Sequence, residues 1–363
     1  MAKIAVVYNV WRKPIELIDM AYIRWIKIAE ALAKRGHKVE IPTNETRWLK
    51  WWKRKFPIHM GPNLKRIPIS DVSWSDYDVI KTLFTVGFET LEKYKGDDHP
   101  FIISKLGSVV GPREMDGIYF YGEVREELYA SQERITEKSK YITVLNRQAR
   151  DLWIECHGSK DNFLLVPGAV ETEIPGPQKN PFPNDGKKVC IFAGNIYNKY
   201  SQPEANKVLV DKLNRLGKNL SKHGVRLYML GPGDVSRLDK EHVTYMGVIP
   251  YENSWDYFHF ADVGVVVSAG KFMHNNESTK IYYYLRAGLP CVNESGFPND
   301  HVVNEANLGF VVENGNMEVM AEEVAEAARK DWDKDFAINY ILESHTWDKR
   351  AEIYDNLIKE QLS

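Results

Sequence analysis

Three predicted strands in the second half of the chain run into glycine. Gly194 follows Val189–Ala193, Gly231 follows Arg226–Leu230, and Gly247 follows Val243–Met246. A glycine at the carboxyl end of a strand lets backbone approach a ligand closely. Three on one sheet edge point to a nucleotide-sized ligand, although strand-to-helix turns also use glycine for their own geometry. What is missing narrows the chemistry. Neither half has G-x-G-x-x-G after its first strand, and Gly231-Pro232-Gly233 lacks the third glycine. No G-x-x-x-x-G-K-[ST] occurs either, so dinucleotide oxidoreductases and P-loop enzymes are set aside. A second signal is RWLKWWKRKF at 47–56, in which cations interleave with aromatics. Trp48, Lys50, Trp51, Trp52, Lys53 and Arg54 suit an anionic membrane interface. They equally suit stacking on sugar or nucleic-acid rings, or a helix that turns its tryptophans inward. The reading carried forward is an acceptor-side or peripheral-membrane surface, with nucleic acid the lesser alternative. Asp97-Asp98-His99 has metal-like composition, but it precedes a strand and so falls on the opposite sheet edge. A solvated turn is the better reading, and no metal is assigned.

The elements that must position these residues are set by composition and pattern. The 363 residues suffice for about two domains. Hydrophobic residues are 44% and charged residues 27%, a globular profile; 12% aromatics argue against disorder. With 48 Lys+Arg against 50 Asp+Glu, the formal charge of −2 excludes a surface that is cationic throughout. Cys156, Cys190 and Cys291 stand far apart without a CxxC pair, so neither a zinc site nor a disulfide framework is expected. No signal-peptide layout and no long apolar stretch is present. The expected location is the cytosol, with contact at the inner membrane face.

The apolar runs alternate with helical periodicity. Ile4–Tyr8, a helix with Tyr22, Trp25, Ile26, Ala29, Leu32 and Ala33 on one face, and Val39–Ile41 form one βαβ unit. Further buried strands are read at 78–80, 101–103, 141–145 and 163–166. PGPQKNPFPNDG at 175–186 cannot continue a sheet or helix and is placed as the linker. The alternation then resumes, with helices at 203–220, 280–287, 319–328 and 347–362. The architecture expected is α/β, with two doubly wound, Rossmann-like domains facing across a cleft. Domain one spans 1–173, the linker 174–186, domain two 187–340, and 341–363 forms a helix crossing back.

The segment NNESTKIYYYLRAGLPCVNESGFP resembles the donor-binding motif of GT-B fold glycosyltransferases, in the large retaining group 1, family 4-like set. That resemblance implies that Ser278, Thr279 and Lys280 stand at a helix N-terminus, where free N–H groups and the helix dipole favour phosphate. VCIFAGNIYNKYS resembles the family's first strand and loop of the second domain. It implies that Gly194, Asn195 and Lys199 lie near the diphosphate, with an ordinary loop lysine as the other reading of Lys199. VTYMGVIPYENSWDYFHFADVGVVVS resembles the nucleobase loop and implies backbone contacts from Val248 and Ile249, beside Gly231. HTWDKRAEIYDNLI resembles the family's tail helix. The likeness covers nearly all of the second domain and rests in the first on strand order and IRWIKIAEALAKRGHKVEI.

The departures concern catalysis. Retaining members carry two glutamates eight positions apart, and here those places hold Asn275 and Tyr283. Tyr283 retains one hydroxyl for a ribose, and Glu277 is the candidate replacement for the first glutamate. No histidine follows FIISKLGS. An inverting mechanism needs a base facing the acceptor hydroxyl, and Glu114 and Asp116 in GPREMDG are the candidates; surface loop charges are the alternative.

The function expected is transfer of a sugar from a UDP- or GDP-linked donor to the hydroxyl of a polysaccharide, glycolipid or lipid-linked acceptor. No cofactor or metal is expected, because helix dipole and cations take the leaving charge. The competing readings are a nucleotide-sugar 2-epimerase and a non-catalytic protein of the same fold that binds a nucleotide sugar or nucleic acid.

Overall fold

The computed structural model describes residues 1–10, 20–44, 58–95, 99–111, 122–158, 161–200, 202–270, 273 and 275–363. The basic aromatic residues 47–56, Asp97, Asp98, Glu114 and Asp116 lie outside the described residues. The chain divides into two compact units. One runs to Pro167 and resumes at Trp347; the other is Gly168–Thr346.

The first unit is built on β1 (Lys3–Val7), α1 (Met20–Lys34), β2 (Lys38–Thr43), β3 (Ile58–Gly61), β4 (Leu64–Pro68) and β5 (Val79–Leu83). It continues with α2 (Phe84–Tyr94), β6 (Ile102–Lys105), α3 (Gly122–Lys138), β7 (Tyr141–Val144), α4 (Arg147–His157) and β8 (Phe163–Leu165). Its strands order as β3-β4-β2-β1-β5-β6-β7-β8, parallel except for β3 at the edge. Ile4 to Val7 are completely buried, as a strand covered on both faces must be. Helix α1 lies over β1, and Trp25 Nε1 donates to the Val6 carbonyl at 2.8 Å. The β3–β4 turn carries Asn63 at φ 61°, a left-handed position that asparagine tolerates.

The second unit comprises β9 (Lys188–Ala193), α5 (Pro203–Lys222), β10 (Val225–Leu230), β11 (Val243–Tyr245), α6 (Tyr251–Phe260) and β12 (Val263–Val266). It continues with α7 (Thr279–Arg286), β13 (Cys291–Glu294), α8 (His301–Glu305), β14 (Gly309–Val312), α9 (Met317–Ala327) and α10 (Lys334–Ser344). The sheet is fully parallel in the order β11-β10-β9-β12-β13-β14. This is the doubly wound Rossmann order, with its reversal between β9 and β12, where ligands bind at the strands' carboxyl ends.

Residues 174–186, read above as a linker, are laid along the second unit. Gln178 N–H donates to Asp256 Oδ1 at 2.7 Å, and the Phe182 ring sits 4.9 Å from Tyr228. The proline-rich chain has few N–H donors for a ladder, so side chains fasten it instead. The last helix, α11 (Trp347–Leu362), belongs to the first unit. There Arg35 Nε donates to Asp355 Oδ2 at 2.9 Å.

Candidate functional site

The site sits on the second unit, at the carboxyl ends of β9, β10 and β11. The glycines after these strands form a stack of backbone contacts. Gly194 N–H donates to the Leu230 carbonyl at 2.8 Å, Ile196 N–H to Pro232 at 3.0 Å, and Gly231 N–H to Gly247 at 3.0 Å. Gly231 has φ 126°, and a Cβ there would lie 2.3 Å from the Gly194 carbonyl. No other residue fits that crossing. Asn195 is exposed on the same loop.

Gly194 has a second neighbour. A Cβ at Gly194 would meet Lys280 Cε at 2.7 Å, so the lysine side chain crosses the glycine's bare face. Lys280 is in the first turn of α7, with its ammonium 5.2 Å from the Phe192 ring centroid. Among the described residues it has neither a hydrogen-bond partner nor a carboxylate. Burial pulls its pKa down to about 8, an offset that a bound anion would reverse.

The turn that aims α7 is held by Asn299, unmarked by any motif. Its Oδ1 accepts from Ser278 N–H and its Nδ2 donates to the Ser278 carbonyl, both at 3.0 Å. Ser278 Oγ is buried and has no hydrogen-bond partner among the described residues. Thr279 is partly exposed beside it, and Asn275 is buried one turn earlier. A helix start with an unfilled hydroxyl and an unpaired ammonium is suited to phosphate oxygens.

Lys199 stands differently. Its Nζ bonds Ser236 Oγ at 3.1 Å and lies 3.5 Å from Asp234 Oδ2, so it ties the loop after β9 to the loop after β10. The structure therefore separates the two predicted phosphate lysines: among the described residues Lys280 keeps its N–H donors unused, and Lys199 faces a carboxylate. In the nucleobase loop Val248 is exposed and Ile249 buried, the alternation needed to fix a loop and still offer its backbone.

Tyr283 does not present a free hydroxyl. Its ring stacks on Trp255 at 5.4 Å, and its hydroxyl lies 3.1 Å from that of Tyr251 and 3.4 Å from Glu171 Oε1. Tyr251 also donates to Glu171, and burial first, then the neighbouring Tyr283 and Glu171, raise the Tyr251 pKa strongly. A carboxylate absent from the motif at Tyr283 thus arrives from elsewhere, in Glu171. Arg286 fastens that segment by donating to the carbonyls of Glu171 at 3.3 Å and Thr172 at 2.6 Å. Glu277 accepts from Gly168 N–H at 2.5 Å and from the Tyr282 hydroxyl at 3.1 Å. Both donors meet the same oxygen, Oε2, which fixes the carboxylate against the turn at Gly168.

Behind the site Glu294 closes the ends of β12 to β14. It accepts from Ser268 N–H at 2.5 Å and Gly315 N–H at 2.7 Å, and pairs with Lys212 at 2.8 Å.

Residues 210–334 match the family model of the glucosyltransferase 3-like C-terminal domain. Comparison with curated proteins finds no match. Among solved structures, a sucrose-phosphate synthase from Thermosynechococcus elongatus aligns at TM-score 0.72 and 13% identity, over 100% of this chain and 99% of that one. WaaG, a glycosyltransferase involved in lipopolysaccharide biosynthesis, aligns at TM-score 0.57 and 14% identity, over 97% and 95%. A trehalose-6-phosphate protein from E. coli bound with UDP-2-fluoro glucose aligns at TM-score 0.62 and 10% identity, over 99% of each chain. The fold is that of the GT-B glycosyltransferases.

Proposed function

We propose that this protein is a glycosyltransferase that moves a sugar from a UDP- or GDP-linked donor to an acceptor hydroxyl. One observation carries the reading. An unpaired Lys280 ammonium lies across Gly194 at the start of α7, on the switch edge of a parallel sheet. That geometry suits a diphosphate. As the glycosidic bond breaks, negative charge grows on the leaving diphosphate, and a preorganised cation beside a helix N-terminus stabilises it. The family-model match over 210–334 includes α7, and the structural relative bound with UDP-2-fluoro glucose favours UDP.

The roles follow from placement. Gly194 and Gly231 let backbone approach the diphosphate, while Val248 and Ile249 offer backbone to the base. The Glu171–Tyr251–Tyr283 cluster forms an acidic wall beside that loop. The acceptor, a carbohydrate or lipid-linked hydroxyl, falls to the first unit. The basic aromatic residues at 47–56 would bring it to an anionic membrane surface, each cation contributing about 1 kcal/mol. Among the described residues no helix is long and apolar enough to cross a membrane.

The test is a panel of UDP-, GDP- and dTDP-sugars, read as transfer to added acceptors and as slow donor hydrolysis. Turnover of one donor supports the reading. Donor binding with neither outcome would leave a sugar-nucleotide binder, and no binding at all would remove the site.

A further inference from the structure

The first unit buries a group of cations that the donor site does not use. Lys81, in the middle of β5, is 2% exposed, and among the described residues its Nζ has no hydrogen-bond partner. It points into a cavity of about 10 Å³ whose other walls include Arg24 of α1, Lys105 at the end of β6, and Arg350, Trp347 and Tyr354 of α11. Each of these side chains is more than nine-tenths buried. Among the described residues no carboxylate lines the cavity. Arg350 Nε donates to the Pro167 carbonyl at 3.2 Å, and Lys105 Nζ donates to the Leu106 carbonyl. The Tyr354 ring lies 4.3 Å from Lys81 Nζ, and the Trp347 ring 5.8 Å from Arg24 Cζ.

A buried ammonium without a partner is costly, and like charges around it raise the cost. Burial and the neighbouring Arg24 together drive the Lys81 pKa down to about 7. Aromatic faces offset part of this. A cavity of this size admits one water-sized body. A water would satisfy the hydrogen bond and leave the charge uncompensated.

We propose that the first unit binds one anionic atom in this cavity, either a chloride ion or a single oxygen of a phosphate or carboxylate. Lys81 is the direct ligand, Arg24 is its nearest like-charged neighbour, and Lys105 and Arg350 line the same cavity. The inference does not depend on the glycosyltransferase reading, since it concerns other residues in the other unit.

Thermal unfolding of the full chain tests it, at fixed pH and ionic strength in sodium chloride, phosphate, acetate or the sodium salt of a bulky sulfonate buffer. A site occupied at about 100 times Kd raises the unfolding midpoint by roughly 5 °C or more. We expect a saturable rise in at least one small-anion salt over the sulfonate. Chloride alone identifies a resident halide; phosphate or acetate alone identifies an inserted oxygen. Lys81→Met should melt higher than wild type in the sulfonate and lose the anion response. Should that variant not fold, Arg350→Gln must at least weaken the response, and chloride NMR linewidths on wild type report occupancy directly. Equal midpoints in all four salts, meaning a water only, would overturn the proposal. An undiminished response in the variants would overturn it as well.

Discussion

Replacing Lys280 by alanine probes the donor site through one atom. The side chain ends in an ammonium with no partner among the described residues, so its removal breaks no ion pair among them. The change should therefore leave the fold standing and be felt at the ligand. A charge-assisted hydrogen bond to a phosphate oxygen contributes about 1.5–3 kcal/mol. At 1.36 kcal/mol per decade, that is a loss of roughly 10- to 150-fold in affinity for a nucleoside diphosphate. Isothermal titration with UDP at low salt measures it. The pH profile gives a second, independent signature. Lys280 titrates near 8 in the free protein, so the charged form that binds phosphate is depleted above that pH. Affinity should fall by up to about tenfold per pH unit above 8, approaching the Lys280→Ala value. Lys280→Arg should flatten the profile, because a guanidinium stays charged. Gly194→Ala tests the same geometry from below: its Cβ would sit 2.7 Å from Lys280 Cε, so the ammonium must move. Unchanged UDP affinity in Lys280→Ala, or a flat wild-type profile between pH 7 and 10, would refute the assignment.

Activity should survive EDTA, since the cation at α7 is proposed to take the leaving charge; complete loss restored by magnesium or manganese would defeat that proposal. Glu294→Ala strands the Lys212 charge and two N–H donors, and should cost about 3–5 kcal/mol of stability by chemical denaturation; a cost below ~1 kcal/mol would show that the bonds carry little weight. In the bulky sulfonate buffer, with no small anion in the cavity, stability should rise with pH between about 7 and 10.5, because unfolded Lys81 binds a proton that folded Lys81 has released. The size is at most ~5 kcal/mol, and Lys81→Met should remove that part of the rise; an identical slope in the variant would show that Lys81 stays charged.

The strands were legible wherever they are buried on both faces. Ile4–Tyr8, Val189–Ala193 and Val263–Val267 read as continuous apolar runs, and the structure puts β1, β9 and β12 there. The β3–β4 hairpin was not legible, because its outer strand is exposed and its sequence, IHMG, has no period. The place of Lys280 in the first turn of α7 was legible from its motif. Asn299, Glu171 and Glu294 were not, since their work is done at long range: Glu171 meets Tyr251 80 residues away and Tyr283 112 away. Lys81 was not singled out by its sequence: the buried strand read at 78–80 stops short of it, and its neighbours Arg24 of α1 and Tyr354 of α11 come from distant parts of the chain.

That returning helix has a consequence for how the molecule is made. Asp355 pairs with Arg35 across 320 positions. The second unit, Gly168–Thr346, is complete in sequence before any of α11 has been translated. On a ribosome the usual order, in which the N-terminal module matures first, is therefore inverted. The later-encoded unit can consolidate while the earlier one waits with the α1 side of its sheet uncovered. During that interval Lys81 and Arg24 lack the rings of Tyr354 and Trp347 that lie against them in the folded unit. The nascent chain carries its cations solvated until the final segment docks, and the desolvation cost falls on that last step of assembly.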